Sequence, residues 1–351
     1  MLLETSTSAT CSPPSRAGPG ACVLAQAAVT PATQDHYKRA VATFLCYCTA
    51  LDLPLSCERE IDLAMSAFCD ESWMEGYGAS QGDTLLAAWC HCFPEFRPGM
   101  FPLMMRSLRG WHRLKPAHGR HPMPFEVACA VSCFIGALPE AGLGPALAVL
   151  LMFDCYLRPH ECLSLRVCDV LKPTTGFPFT TLMIAPWEVG VPSKTRTFDD
   201  CVRLDSCDRS DVDHLLLYYL KSRVDVRGSL FNFSHQQLLT WMKQAVDFLH
   251  LSPFHFVLYS LRHGGPSADR ANNTRTADDV QKRGRWAAMS STRRYEQPGR
   301  LHNVLTRIPT NVWQHCLFCR AHLWSILLEQ RPLRRPEPPA APIVVPEAPV
   351  D

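Results

Sequence analysis

The sequence has no hydrophobic run long enough to cross a membrane. Its longest strongly apolar stretch, Pro145 to Phe153, is followed at once by Asp154 and then Arg158, far short of the roughly 20 residues a spanning helix requires. A basic leader followed by a continuous apolar segment is also missing, since the alanine-rich stretch near Cys22 is short and follows Pro, Ser and Gly. The expectation is a chain made and kept inside a cell, nuclear in a eukaryotic host and otherwise cytoplasmic. No repeat with a period of roughly 20 to 50 residues is evident. Charge is nearly balanced, 35 Lys and Arg against 33 Asp and Glu, for a formal net charge of +2, so bulk charge does not announce a nucleic-acid partner. Cysteine is plentiful, at 17, but framework spacing is lacking. An odd count scattered through apolar segments, as at Cys46, Cys48, Cys129, Cys133, Cys155 and Cys162, reads as reduced core thiols. His315, Cys316, Cys319 and His322 have metal-ligating side chains, yet no second pair stands at zinc-site spacing, so no metal is expected.

What is present suits two ordinary domains: 351 residues, 47% of them hydrophobic. Residues 1–30 and 326–351 are rich in Pro, Ala and small polar residues and read as disordered tails. Helical periodicity begins near Thr33, with Tyr37, Ala40, Val41, Phe44 and Leu45 on one face, and recurs over 60–75, 82–92 and 101–114, which marks 31–116 as a small all-helical domain. Lys115 to Pro122 has the polar, Pro/Gly composition of a connector. The second domain, 117–325, opens with apolar helices over 125–138 and 145–156. Two short strands, 180–187 and 198–204, are joined by a turn carrying Gly190, Pro192 and Lys194. Helices resume over 211–223, 236–250, 258–271 and 276–283, and Trp313 to Leu328 has the pattern of an amphipathic C-terminal helix. The fold class is therefore mainly α with a small antiparallel β-sheet.

The chemistry-bearing residues are weak signals one at a time. Pro159 forces Arg158 out of helical torsions at a helix-to-helix junction, with Glu161 three residues after the Arg. Lys194 falls in the predicted hairpin turn. Tyr259-Ser260-Leu261-Arg262-His263 sets an Arg beside a His in an otherwise apolar helix. Arg283-Gly284-Arg285-Trp286 follows, and Tyr295 comes nine residues after the Trp, flanked by Arg293 and Arg294. From Arg262 to Arg307 basic residues outnumber the acidic Asp269, Asp278, Asp279 and Glu296.

Taken in order, Arg-x-x-Glu, a hairpin Lys, x-x-Leu-Arg-His, Gly-x-Trp and a following Tyr closely resemble the tyrosine recombinase/integrase family. The resemblance covers about residues 33–300; it is specific in the second domain and rests on helix content and position alone in the first. It implies a helical core-binding domain that clamps DNA, and a catalytic domain that cleaves and rejoins strands through a covalent 3′-phosphotyrosine. In that scheme Tyr295 is the nucleophile. Arg158 and Arg262 hold the non-bridging oxygens, Lys194 protonates the departing 5′-oxygen, and Trp286 donates its indole N–H to the phosphate. Glu161 and His263 are supporting residues, and Arg283, Arg285, Arg293 and Arg294 are candidate DNA contacts. Double-stranded DNA is the implied partner, with a homo-multimer, a tetramer, assembled on it; no cofactor, membrane or small-molecule substrate is implied.

One position departs from the pattern. Relatives usually carry His where this chain has Tyr259, and a phenol is a poor proton carrier near neutral pH. His255 would share a face with Tyr259 if the helix reached back that far, and His263 adjoins Arg262. The departure keeps open a relative that binds DNA without cutting it, and the same residue set is shared with type IB topoisomerase-like nicking and resealing.

Overall fold

The computed structural model describes residues 27–116, 119–193, 197–329, 333–338 and 343. Most residues of the tails expected at 1–30 and 326–351, and Lys194 entirely, lie outside the described residues; the second tail, however, begins later than expected, because Ile326 to Leu328 end the last helix, with Ile326 and Leu327 buried. The chain divides into two compact units on either side of the 118/119 boundary. The architecture is mainly helical, with one small antiparallel sheet among the described residues.

The first unit holds helices α1 (Pro31–Ala50), α2 (Glu58–Met74), α3 (Ser80–Cys92) and α4 (Pro102–Leu114). Thr30 caps α1 by accepting from the Thr33 N–H, with Pro31 in the first turn. Phe44 on α1 meets Phe68 and Trp89 edge-on, at 5.7 and 5.6 Å between ring centres. Buried Asp62 on α2 accepts from the backbone N–H groups of Leu103 and Met104 at 3.0 and 2.9 Å. A carboxylate thereby satisfies two unpaired donors at the positive end of α4.

The second unit is built around α5 (Phe125–Ala137) and α6 (Leu143–Asp154). Gly144 through Asp154 are all buried, as expected of a helix apolar on every side. Short α7 (Pro159–Leu163) leads to strands β1 (Val170–Leu171), β2 (Thr181–Ile184) and β3 (Asp200–Arg203). They pair antiparallel in that order, Val170 opposite Leu182 and Leu182 opposite Val202. The alternation that puts Leu182, Ile184 and Val202 inside is the period of two that predicts both longer strands; β1, two residues long, is too short to carry one.

Helices α8 (Ser210–Leu220), α9 (His235–Phe248), α10 (Leu258–Ala271), α11 (Ala277–Gly284), α12 (Met289–Tyr295) and α13 (Pro298–Leu305) follow. The C-terminal amphipathic segment is two helices, α14 (Thr310–Ala321) and α15 (Leu323–Leu328), broken at His322. Its apolar face, Val312, Cys316, Cys319, Leu323 and Ile326, joins this unit's own core. Cys48, Cys129, Cys133, Cys155 and Cys162 are buried free thiols, whereas Cys46, expected in the core, is exposed on α1.

The crossing of α10 over α6 depends on consecutive glycines. A Cβ at Gly264 would lie 2.1 Å from the Met123 carbonyl oxygen, and one at Gly265 would lie 2.3 Å from that of Phe153. Only hydrogen fits at that approach. Arg262, two residues before Gly264, reaches the Tyr156 carbonyl just past the end of α6.

Candidate active site

Arg158 stands where α6 gives way to α7, with φ −70° and ψ 149°, and Pro159 opens the next helix, as the steric restriction on a residue before proline requires. Its backbone N–H donates to Glu161 Oε2 at 2.8 Å and its guanidinium to Oε1. The same carboxylate accepts from Arg285 Nη2 at 2.6 Å and from Arg262 Nη1 at 3.5 Å. Three cations therefore share one anion, and the cluster keeps an excess of positive charge. Burial by itself would raise the Glu161 carboxyl, but Arg285, Arg262 and Arg158 outweigh it and hold it at about 2.

Arg262 is fully buried. Its Nη1 donates to the Tyr156 carbonyl and its Nη2 to the Gly284 carbonyl at 2.7 Å, which fixes the guanidinium plane. Burial, then the neighbouring Arg285 and Arg158, push its pKa down against the pull of Glu161; starting from above about 12, the group stays charged at neutral pH.

Tyr295 ends α12 with its ring between two others. Trp286 stacks on it at 4.7 Å and 20°, and His263 at 4.6 Å and 30°. The Arg262 guanidinium carbon lies 5.5 Å from the Tyr295 ring centre and 5.0 Å from that of Trp286. Ser267 on α10 holds the backbone here: its hydroxyl lies 3.0 Å from the Tyr295 carbonyl and accepts from the Gln297 N–H at 2.9 Å. The Tyr295 hydroxyl makes no hydrogen bond to a described residue. Among the residues of this cluster, Arg262 Nε, Arg285 Nε, Trp286 Nε1 and His263 Nδ1 are buried nitrogens with no partner among the described residues.

A cavity of about 550 Å³ opens beside the cluster, lined by Arg158, Glu161 and Tyr259 and by β-hairpin residues from Met183 to Ser193. Ser193, next to Lys194 in sequence, lies on its wall, and its N–H donates to the Thr197 carbonyl at 2.8 Å.

No protein-family model matches this chain, and no curated protein matches it in sequence. Solved structures do resemble it. The XerH site-specific recombinase bound to palindromic difH substrate, a post-cleavage complex, is 12% identical over 71% of this chain and 78% of that one, with a TM-score of 0.40. XerA recombinase is 14% identical over 81% of this chain and 94% of that one, with a TM-score of 0.39. XerH in its pre-cleavage complex with difH gives 12% identity, the same two coverages and a TM-score of 0.40. Likeness at this level is too distant to assign chemistry, which must come from the geometry of the present chain.

That geometry brings together Arg158, Glu161, Arg262, His263, Arg285, Trp286 and Tyr295, with Tyr259 on the wall of the adjoining cavity. His255 stands apart: α10 starts at Leu258, and His255 is a left-handed residue (φ 49°) closing the turn before it, so it does not share a helical face with Tyr259. Arg293 and Arg294 are exposed on α12. Arg283 and Arg285 are not: both are buried, and Arg283 donates to the carbonyls of Asp154 and Arg203.

Arg283 belongs to a closed ring of alternating charge that sequence reading missed. Asp154 pairs with Arg209 at 2.7 Å, Arg209 with Asp269 at 2.7 Å and Asp269 with Arg275 at 3.0 Å. Arg275 pairs in turn with Asp205, Asp205 with Arg283 at 3.0 Å and Arg283 with Asp154 at 3.2 Å. The sequence does carry a signal for it, because a carboxylate at the end of all-apolar α6 has to meet a cation. Tyr156 links this ring to the site. It is left-handed (φ 51°), its hydroxyl donates to Asp269, and its carbonyl accepts from Arg262. Burial would raise the Asp269 carboxyl, but Arg209, Tyr156 and Arg275 together hold it low.

Proposed function

We propose that the chain cleaves and rejoins DNA strands by tyrosine chemistry of the recombinase type, the second unit carrying the active site and the helical first unit gripping the duplex. The observation that carries this reading is Tyr295 stacked against Trp286 beside the Arg262 guanidinium, within a cluster where three arginines share the single carboxylate of Glu161. Such a cluster suits a phosphodiester. The Arg158 guanidinium, on the cavity wall, holds non-bridging oxygens as negative charge builds on the pentacoordinate phosphorus, and Arg262, its terminal nitrogens on the Tyr156 and Gly284 carbonyls, adds a fixed positive charge behind it. In this reading the Trp286 N–H, without a partner among the described residues, is a further donor for those oxygens.

The Tyr295 oxygen forms a bond to phosphorus while the bond to the 5′-oxygen breaks. The phenolic proton passes to solvent water, and the leaving oxygen takes up a proton, in this reading from Lys194, which regains one from solvent. The phosphotyrosine keeps the energy of the broken bond, so attack by a 5′-hydroxyl reseals the strand with no nucleotide cofactor. Exchange between two duplexes needs several copies of the chain on DNA, for which a tetramer is the natural arrangement, inside a cell and in the nucleus of a eukaryotic host.

Incubation with nicked suicide duplexes carrying candidate sites from the DNA flanking the coding region tests the reading. A covalent adduct with the wild type that is lost in Tyr295→Phe supports it. Salt-sensitive DNA binding with no adduct would replace it with a DNA-binding relative, a reading favoured by the phenol at Tyr259. Relaxation of supercoiled plasmid without strand exchange would point to topoisomerase-like resealing.

A further inference from the structure

We propose that Arg120 and Arg300 form a second phosphate-binding subsite against Tyr259, gripping a phosphate next to the one attacked. This rests on the DNA-cleaving reading and adds a contact outside the cluster around Glu161.

Arg120 is exposed, and its guanidinium carbon sits 4.6 Å from the centre of the Tyr259 ring. The phenol ring thereby acts as a platform that limits where an otherwise flexible side chain points. Arg300 comes from α13 and lies against the same short stretch of chain: a Cβ built at Gly119 would collide with its guanidinium. One cation thus lies over Tyr259 and the other against the backbone of the residue before Arg120, and neither pairs with a carboxylate among the described residues. By contrast, Arg158, Arg166, Arg209, Arg262, Arg275 and Arg283 each have an acidic partner.

The field on the nearby imidazole agrees. After burial, the influences that lower His263 are Arg120, Arg300 and Arg262, all cationic. Arg120 and Arg300 both act on that one imidazole with no carboxylate partner among the described residues, and an entering anion would be drawn to the positive field they set up there. Tyr259 lines the cavity that also holds Arg158 and Glu161 and carries Arg120 over its ring, so one residue borders both the cavity and this cation. With a phosphodiester on Arg158, the anion this proposal puts on Arg120 is a further phosphate of the bound DNA. Arg120 then supplies, over the ring, a positive charge next to the position where the phenol has none.

The test is the salt dependence of binding to a random-sequence duplex, which needs no cognate site and no cleavage. Arg120→Ala and Arg300→Ala should each reduce the slope of log K against log salt by about one. The exposed control Arg227→Ala should leave it unchanged. Tyr259→Ala should lower the slope as Arg120→Ala does, with little further loss in the double variant, whereas Tyr259→Phe keeps the platform and the contribution of Arg120. Thermal melting checks the fold, and because Arg120 is exposed its variant remains decisive if Arg300→Ala proves unstable. Wild-type binding with an unchanged slope in Arg120→Ala would overturn the subsite and leave the DNA reading standing. No salt-sensitive binding by the wild type would overturn both.

Discussion

Glu161 accepts a hydrogen bond from Arg285 at 2.6 Å across 124 positions of sequence, with Arg158 and Arg262 on the same carboxylate. The pairing ties the start of α7 to the end of α11 and sets the spacing between the guanidinium groups.

Removal of that anion leaves three buried or half-buried cations facing one another. Glu161→Gln is expected to lower stability by about 3–5 kcal/mol, the usual cost of leaving buried charge uncompensated, measured by urea unfolding. The wild type should also lose this contribution in acid. The carboxyl sits at about 2 when folded against about 4.3 when unfolded, so the unfolded state binds the proton first and stability falls as pH drops from about 5 toward 2. A urea midpoint for Glu161→Gln equal to that of the wild type would refute the account.

His263 gives a second acid window. Burial first, and then Arg120, Arg300 and Arg262, bring its pKa to about 4 from about 6.5 in an unfolded chain. The folded state resists protonation, so stability is complete above about 6.5 and declines as pH falls to about 4, by a few kcal/mol at most. In His263→Gln that stretch of the pH–stability profile should flatten; a profile with the wild-type slope would locate the transition elsewhere.

Tyr295→Phe should separate chemistry from fold. The hydroxyl makes no hydrogen bond to a described residue, while the ring stacks on Trp286 and His263. Stability is expected within about 0.5 kcal/mol of the wild type, with adduct formation abolished. A large fall in melting temperature would mean that the hydroxyl is structural.

The buried ring predicts the opposite behaviour. Asp269→Ala takes one carboxylate partner from each of Arg209 and Arg275, leaving Asp154 and Asp205 in place, and removes the acceptor of Tyr156, and should destabilise by about 3–5 kcal/mol. Arg283→Ala belongs with it. Arg293→Ala and Arg294→Ala, on the exposed face of α12, should melt like the wild type and weaken DNA binding with a shallower salt slope. Equal melting temperatures for Arg283→Ala and Arg293→Ala would show the ring to be energetically idle.

Local signals wrote much of this molecule into its sequence. The 3.6-residue period of α10, the alternation of β2 and β3 and the torsions of Arg158 before Pro159 are all short-range effects that steric exclusion and burial impose wherever the pattern occurs. The order of Arg158, Glu161, Arg262, Trp286 and Tyr295 was equally plain, because residue types and spacing are read directly from the chain.

Which of the many arginines face an anion and which are locked inside was decided only by tertiary packing. Arg283 and Arg293 are indistinguishable as letters, yet one closes a buried ring with Asp154 and Asp205 while the other stands in solvent. Likewise, nothing local to Arg120 announces Tyr259, and nothing local to Asp154 announces Arg209, since each pair meets only when distant elements pack together. Charge acts over a few ångströms through a low-dielectric interior, so the role of an ionisable side chain depends on neighbours that only the folded chain supplies.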